Sequence, residues 1–236
     1  MPIFNNMRKS LIPAEGAKKY LLYAIGEILL VVIGIVIALQ INNWNEERKD
    51  QKFENEILTL LDRNLLDDSI MLSIELNRTI LAIDLTDRLL DKVSKKQYSD
   101  SLNFWMGRII SFERFKSQAS AFEVLKANGI QNLSDKKLQL LLISYYEESL
   151  FKLYESLNDV LQSFNRDWIP IIKSEFSDFE WLDHSQLNNP KAFFEKPTTV
   201  VMFKLYKDNR AGQLEKMQSS LRAISEIRKQ IRLTLK

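Results

Sequence analysis

The sequence predicts an all-α protein: one N-terminal transmembrane helix followed by an extramembrane antiparallel helical bundle with long helices. Three observations carry that expectation. Leu21 to Ile41 is an apolar run whose strongly polar side chains are only the carboxylate of Glu27 and the amide of Gln40. About 21 helical residues at about 1.5 Å rise reach about 31 Å, close to the hydrocarbon thickness of a bilayer. Helix breakers are scarce: there are 6 glycines and 5 prolines, no proline lies between Pro13 and Pro170, and neither breaker lies between Gly34 and Gly107. Such a composition favours helix over sheet. Past the apolar run, large apolar side chains recur three, four or seven residues apart, the spacing of one helix face.

Composition narrows the classes further. The 236 residues suffice for the span and one helical domain. Lys and Arg number 33 against 31 Asp and Glu, so global charge makes no case for nucleic acid as a partner. Cysteine is absent, which removes thiolate metal sites, disulfides and thiol nucleophiles together.

Three segments are expected: 1–19 as a cytoplasmic N-terminal stretch, 20–44 as a transmembrane signal-anchor, and 45–236 as an exported α-helical domain. In the first, Ile3, Phe4, Met7, Leu11 and Ile12 form the apolar set of a short surface turn. Four basic residues, Arg8, Lys9, Lys18 and Lys19, precede the span against about three just after it, a small positive-inside bias. That bias places the N-terminus in the cytoplasm and the C-terminal domain in the periplasm, with one pass through the inner membrane. Tyr20 and Tyr23 at one end and Trp44 at the other sit where interfacial aromatics are enriched. A cleaved signal peptide is the rival reading. The apolar run is longer than a usual h-region of about 7–15 residues, and no small-x-small cleavage site follows Ile37.

Glu27 is the exception inside the span, where an ionised carboxylate costs about 2.5–3.5 kcal/mol on insertion scales. Gly34 and Ala38 follow seven and eleven residues later, nearly on the same helix face. Gly34-x-x-x-Ala38 is a small-xxx-small spacing that lets two helix backbones approach closely. The preferred reading is a helix-association face formed by Glu27, Gly34 and Ala38. The bland alternative is a carboxylate snorkelling to the headgroups beside tolerated glycines; an ion or proton path is the third.

The stretch YAIGEILLVVIGIVIALQINNWNEERK resembles the N-terminal signature of a family of uncharacterised single-span membrane proteins of Bacteroidota, which reads YxIGEIxLVVxGIxIALQINNWNE. FEVLKANGIQNLSDKKLQLLLISYYEE is similar to that family's LKxSG…YY region. The resemblance implies a membrane location and a helical exported region, and implies no activity.

In the exported domain, Glu46 to about Ser94 reads as one long helix, able to continue from the span. Phe53, Ile57, Leu61, Leu65, Leu72, Leu76, Ile80, Ile83 and Leu90 form its apolar face, and Arg63, Asp67, Asp68, Arg78, Asp84 and Asp87 its polar face. Lys95-Lys96 and Ser99-Asp100-Ser101 mark a stop and a start. A helix is expected over Leu102–Phe115, a further start at Ser117 or Ser120, and a C′ glycine at Gly129. Ser134 is the expected N-cap of a second long helix, with Asp135 in its first turn. Pro170 should kink or end that helix, and 171–198 should be irregular. A last long helix is expected from about Thr198 to the end.

Familiar chemistry is not found. His184 is the only histidine, so a bundle di-metal site, which needs Glu-x-x-His twice, is impossible. Six scattered glycines build no phosphate loop, and no serine has a nucleophile-elbow context. Asp84 and Arg88 are an i,i+4 pair that accounts for the acidic cluster there. Adjacent Tyr145 and Tyr146 point about 100° apart on a helix, so one enters the core while the other sits at its edge. No catalytic residue, metal ligand, cofactor or small-molecule substrate is expected.

The function expected is that of a membrane-anchored, non-enzymatic helical-bundle protein, with the lipid bilayer and either a second copy or another membrane protein as partners. Phe176, Phe179, Trp181, Phe193 and Phe194 are the candidate partner surface. The alternative is a subunit of an ion-coupled transport or motor complex that uses Glu27 within the membrane.

Overall fold

The computed structural model describes residues 14–235, with side chains from Tyr20 onward. The expected surface turn at Ile3–Ile12 lies outside the described residues. The fold is all-α apart from one small hairpin, and it divides into two compact units, one ending at Glu54 and the other beginning at Asn55.

Helix α1, Ala14–Ser94, begins in the first unit and continues into the second. In the first unit every side chain from Tyr20 to Asp50 is exposed except half-buried Ala24. In the second, a buried row alternates by three and four, from Leu58, Leu61 and Leu65 through Asp68, Leu72, Glu75 and Thr79 to Leu89 and Val93, with Ile57 and Leu85 buried beside it. This is a heptad seam. It corrects the expected apolar face: Asp68, assigned to the polar side, is buried, and Ile80, assigned to the core, is 44% exposed. The spacing of 3.5 decides this, because it rotates the seam slowly around the helix.

The seam ends in a Schellman-type stop. Lys96 takes a left-handed φ of 58°, and Gln97 N–H donates to Lys92 O at 3.0 Å. Helix α2 follows over Ser101–Ile110. It stops five residues short of the expected Phe115, because the backbone turns extended at Ser111 and 111–119, outside any helix or strand, hydrogen-bonds laterally. Helix α3, Ser120–Asn128, ends at Gly129, whose φ of 95° suits glycine. Helix α4, Lys136–Ile143, is capped by Asp135, which accepts from Lys137 and Leu138 N–H. The expected cap was Ser134. The carboxylate takes the position because it also accepts from Gln230 and Thr234 of the last helix.

The helical path continues through a π turn at Ser144–Ser149, helix α5 at Leu150–Ser163, a second π turn at Phe164–Trp168, and helix α6 at Ile169–Glu175. Pro170 therefore does not end the helix. Ile169 N–H bonds five residues back to Phe164 O, and the wider turn makes room for the ring where an i−4 donor is missing. The region expected to be irregular holds a two-stranded antiparallel hairpin, β1 at Phe176–Phe179 and β2 at Ser185–Leu187, then short helix α7 at Pro190–Phe194. Helix α8 spans Pro197–Thr234 and packs along α5.

Three cross-helix ion pairs set the direction of α8. Asp62 meets Arg228, Glu75 meets Arg210, and Asp87 meets Lys207. Numbers rise on α1 as they fall on α8, so the two helices are antiparallel.

Candidate functional site

The helix-association residues of the span stand free of their own chain. Glu27, Gly34 and Ala38 are exposed, and among the described residues Glu27 makes no hydrogen bond or ion pair. A Cβ built on Gly26 or Gly34 would meet nothing within 4 Å, so this fold does not itself require glycine there. Tyr20, Tyr23 and Trp44 are 56%, 82% and 65% exposed.

Two carboxylates inside the α1 seam organise the second unit. Glu75 forms a buried ion pair with Arg210 at 3.4 Å and accepts from Glu113 N–H at 3.1 Å. Arg210 also donates to Ser111 O at 2.9 Å and to Gln213 Oε1 at 3.2 Å. Burial pushes the Glu75 carboxyl above its usual range, with Arg210 opposing.

Two turns towards the N-terminus, Asp68 accepts from Ser117 Oγ and, at 2.9 Å, from Gln118 N–H. Both carboxylates thus bind donors of the extended 111–119 strap, which has no helix or sheet of its own to satisfy them. Sequence patterning missed this pair. A strict heptad count from Leu58 places 68 and 75 in the seam, and that was the available signal.

Three tyrosines surround Asp68. Tyr154 Oη accepts from Ser117 N–H at 3.0 Å. Tyr145 is buried, and half-buried Tyr146 stacks on Phe122 with centroids 4.1 Å apart. The π turn narrows the angle between adjacent side chains, and both hydroxyls end up buried without a protein partner. Burial first, and Asp68 second, push both phenols up. This cluster can hold protons tightly, and its directed hydrogen bonds go to the strap.

The expected partner surface is corrected in part. Phe193 and Phe194 are 2% and 3% exposed, packed with Trp168 and Phe203 in the core. Phe176 and Phe179 are half-buried, leaving Trp181 as the most open of the five. Phe176 packs edge-on to Phe193, and Trp181 edge-on to Phe112 and Phe164. Beside them lies a cavity of about 650 Å³ lined by Trp168, Ile171, Val201 and Leu205.

At the hairpin turn, His184 sits against Asp178 at 3.0 Å and Asp183 at 3.2 Å. Hydrogen bonds to those carboxylates push its imidazole up. Glu180, Asp183 and His184 bring ligand-type atoms within 4.8 Å of one another, and these are the described residues best placed to hold a cation. Ion pairing accounts for their arrangement.

Residues 27–161 match a family of unknown function, DUF6090. The chain belongs to that family. In this member of DUF6090 the matched stretch takes in Glu27, Asp68, Glu75 and all three tyrosines, and stops before α8, which supplies Arg210. No curated protein and no solved structure matches the chain.

Proposed function

We propose that this member of DUF6090 is a non-enzymatic, membrane-anchored helical-bundle protein that assembles at the cell envelope with a second copy or another membrane protein. The observation that carries the reading is the apolar segment Tyr20–Trp44, exposed throughout but for half-buried Ala24. In water such a surface is strongly unfavourable; in lipid it is not. The N-terminus lies in the cytoplasm and the bundle in the periplasm, on the basic bias before the span. Glu27, Gly34 and Ala38 supply the helix-association face, because a bare carboxylate in lipid gains from a partner.

Alkaline extraction of membranes tests the anchor: the full chain should stay with the lipid pellet, and protease added to spheroplasts should reach the bundle. Release into the soluble fraction, or a mature chain beginning after Trp44, overturns the reading. The unpartnered Glu27 also favours the ion-coupled alternative. Glu27→Gln separates the two: weakened association supports assembly, whereas intact association with lost ion movement supports coupling.

A further inference from the structure

We propose that the outward face of α1 between Leu60 and Leu81 is a second helix seam, through which two copies of this chain pair in parallel and in register. This rests on the assembly reading above and adds its surface, its partner and its direction.

The inward seam follows positions 58, 61, 65, 68, 72, 75 and 79; about 150° round the helix run 60, 63, 67, 70, 74, 77 and 81, with the same three–four alternation. Four of these are Leu60, Ile70, Ile74 and Leu81, and Leu66, Met71 and Ile80 flank them. All seven apolar side chains are 39–53% exposed. A surface helix normally turns a polar face outward, so this stripe is unexplained by the bundle. Its exposed fractions amount to roughly 600 Å² per copy, or about 1,200 Å² for a pair, the lower bound of a specific interface.

The polar positions within the stripe choose the occupant. Asn77 is exposed, and neither it nor Arg63 makes a hydrogen bond or ion pair among the described residues. An asparagine in one core layer of a two-stranded pairing bonds to its twin and fixes the register. Arg63 and Asp67 occupy adjacent layers, so in a parallel pair each guanidinium approaches the opposite carboxylate. An antiparallel pair centred on Ile70 would instead set Arg63 against Asn77 and Asp67 against Ser73, between Ile70 and Ile74, with no guanidinium at the carboxylate. A lipid tail would satisfy none of the three polar groups. Two copies whose N-terminal spans share one membrane also gain effective concentration.

The chain has no cysteine, which suits single-cysteine crosslinking of the full protein in native membranes. Two copies with different tags are co-expressed and treated with copper phenanthroline. Ile70→Cys, Ile74→Cys and Leu81→Cys should give mixed-tag dimers at least about tenfold faster than exposed Lys152→Cys on α5 or Lys204→Cys on α8. Equal rates at the control positions, no dimers along the stripe, or adducts only with a different protein overturn the inference. Gly34→Cys and Ala38→Cys separate it from the broader reading. Dimers there with a silent stripe sink this seam and leave association through the span standing; silence at both sets sinks self-association altogether.

Discussion

Arg210→Met tests whether the buried ion pair holds α1, the strap and α8 together. The substitution keeps most of the volume and removes three hydrogen bonds: to Glu75 at 3.4 Å, to Gln213 at 3.2 Å and to Ser111 O at 2.9 Å. Glu75 is then left 2% exposed, with Glu113 N–H and, at 3.9 Å, Arg78 as its remaining partners. Breaking a buried pair from one side leaves an uncompensated charge, at about 3–5 kcal/mol. The pH dependence gives a second handle. Glu75 is held above its ordinary value of 4.5 in the folded protein, so folding favours its neutral form. That contribution is fully present below the ordinary value and is lost as pH rises through the raised one. Removing the guanidinium raises the folded value further, so the damage should be greatest near neutrality and shrink on acidification. Urea unfolding of the full chain in mild detergent, followed by fluorescence of Trp105, Trp168 and Trp181, reads both quantities. A loss below about 1 kcal/mol, or the same loss at about pH 5 and pH 8, refutes the argument.

Gly107→Ala should detach the hairpin from α2. The new methyl would lie 2.7 Å from backbone atoms of His184, and overpacking of this kind costs about 1–3 kcal/mol. Faster amide exchange at Ser185–Leu187 with little change in α5 is the expected pattern; unchanged exchange counts against the close approach. His184, the only histidine, gives a single imidazole titration by NMR. Its midpoint should lie above the ordinary 6.5, because Asp178 and Asp183 stabilise the cation. Its contribution to stability is therefore full below 6.5 and lost as pH rises through the raised midpoint. Asp178→Asn should move the midpoint down, and an unmoved midpoint would separate the ring from that carboxylate.

Local signals in the sequence read well where one force dominates. The apolar run at Leu21–Ile41, the stop at Gly129 and the last long helix follow from hydropathy, backbone freedom and periodicity, each decided within a few residues. Reading failed where distant elements compete for the same group. Asp135 displaces Ser134 as a cap because Gln230 and Thr234, almost a hundred residues on, share its second oxygen. Pro170 stays within a helical run because the turn before it widens. Phe193 and Phe194 enter the core because Trp168 and Phe203 are there to receive them. Asp68 and Glu75 fall at seam positions by heptad count, but the partners that make their burial tolerable, strap amides and an arginine on α8, are distant in sequence.

Those two carboxylates also explain how a seam built mainly of leucines finds one register. Sliding α1 by seven residues against α8 returns most leucines to seam positions, so apolar packing alone distinguishes the alternatives poorly. The charges do not permit it. One slip sets Arg210 opposite Ala82 in place of Glu75; the other sets Arg228 opposite Asn55 in place of Asp62, which it now holds with two bonds of 2.8 and 3.2 Å. Asp68 and Glu75 are themselves seven residues apart, so each slip carries one carboxylate to the other's place but sets Leu61 at the Gln118 N–H or Ala82 at the Glu113 N–H, and that strap donor is left buried without an acceptor at about 1–3 kcal/mol. A polar group inside the seam weakens it relative to leucine, yet it penalises every wrong alignment more than the right one. The outer stripe of α1 repeats this arrangement, with Arg63, Asp67 and Asn77 set among leucines and isoleucines. Under the pairing proposed above, these layers set the register between two copies as Asp68 and Glu75 set it within one.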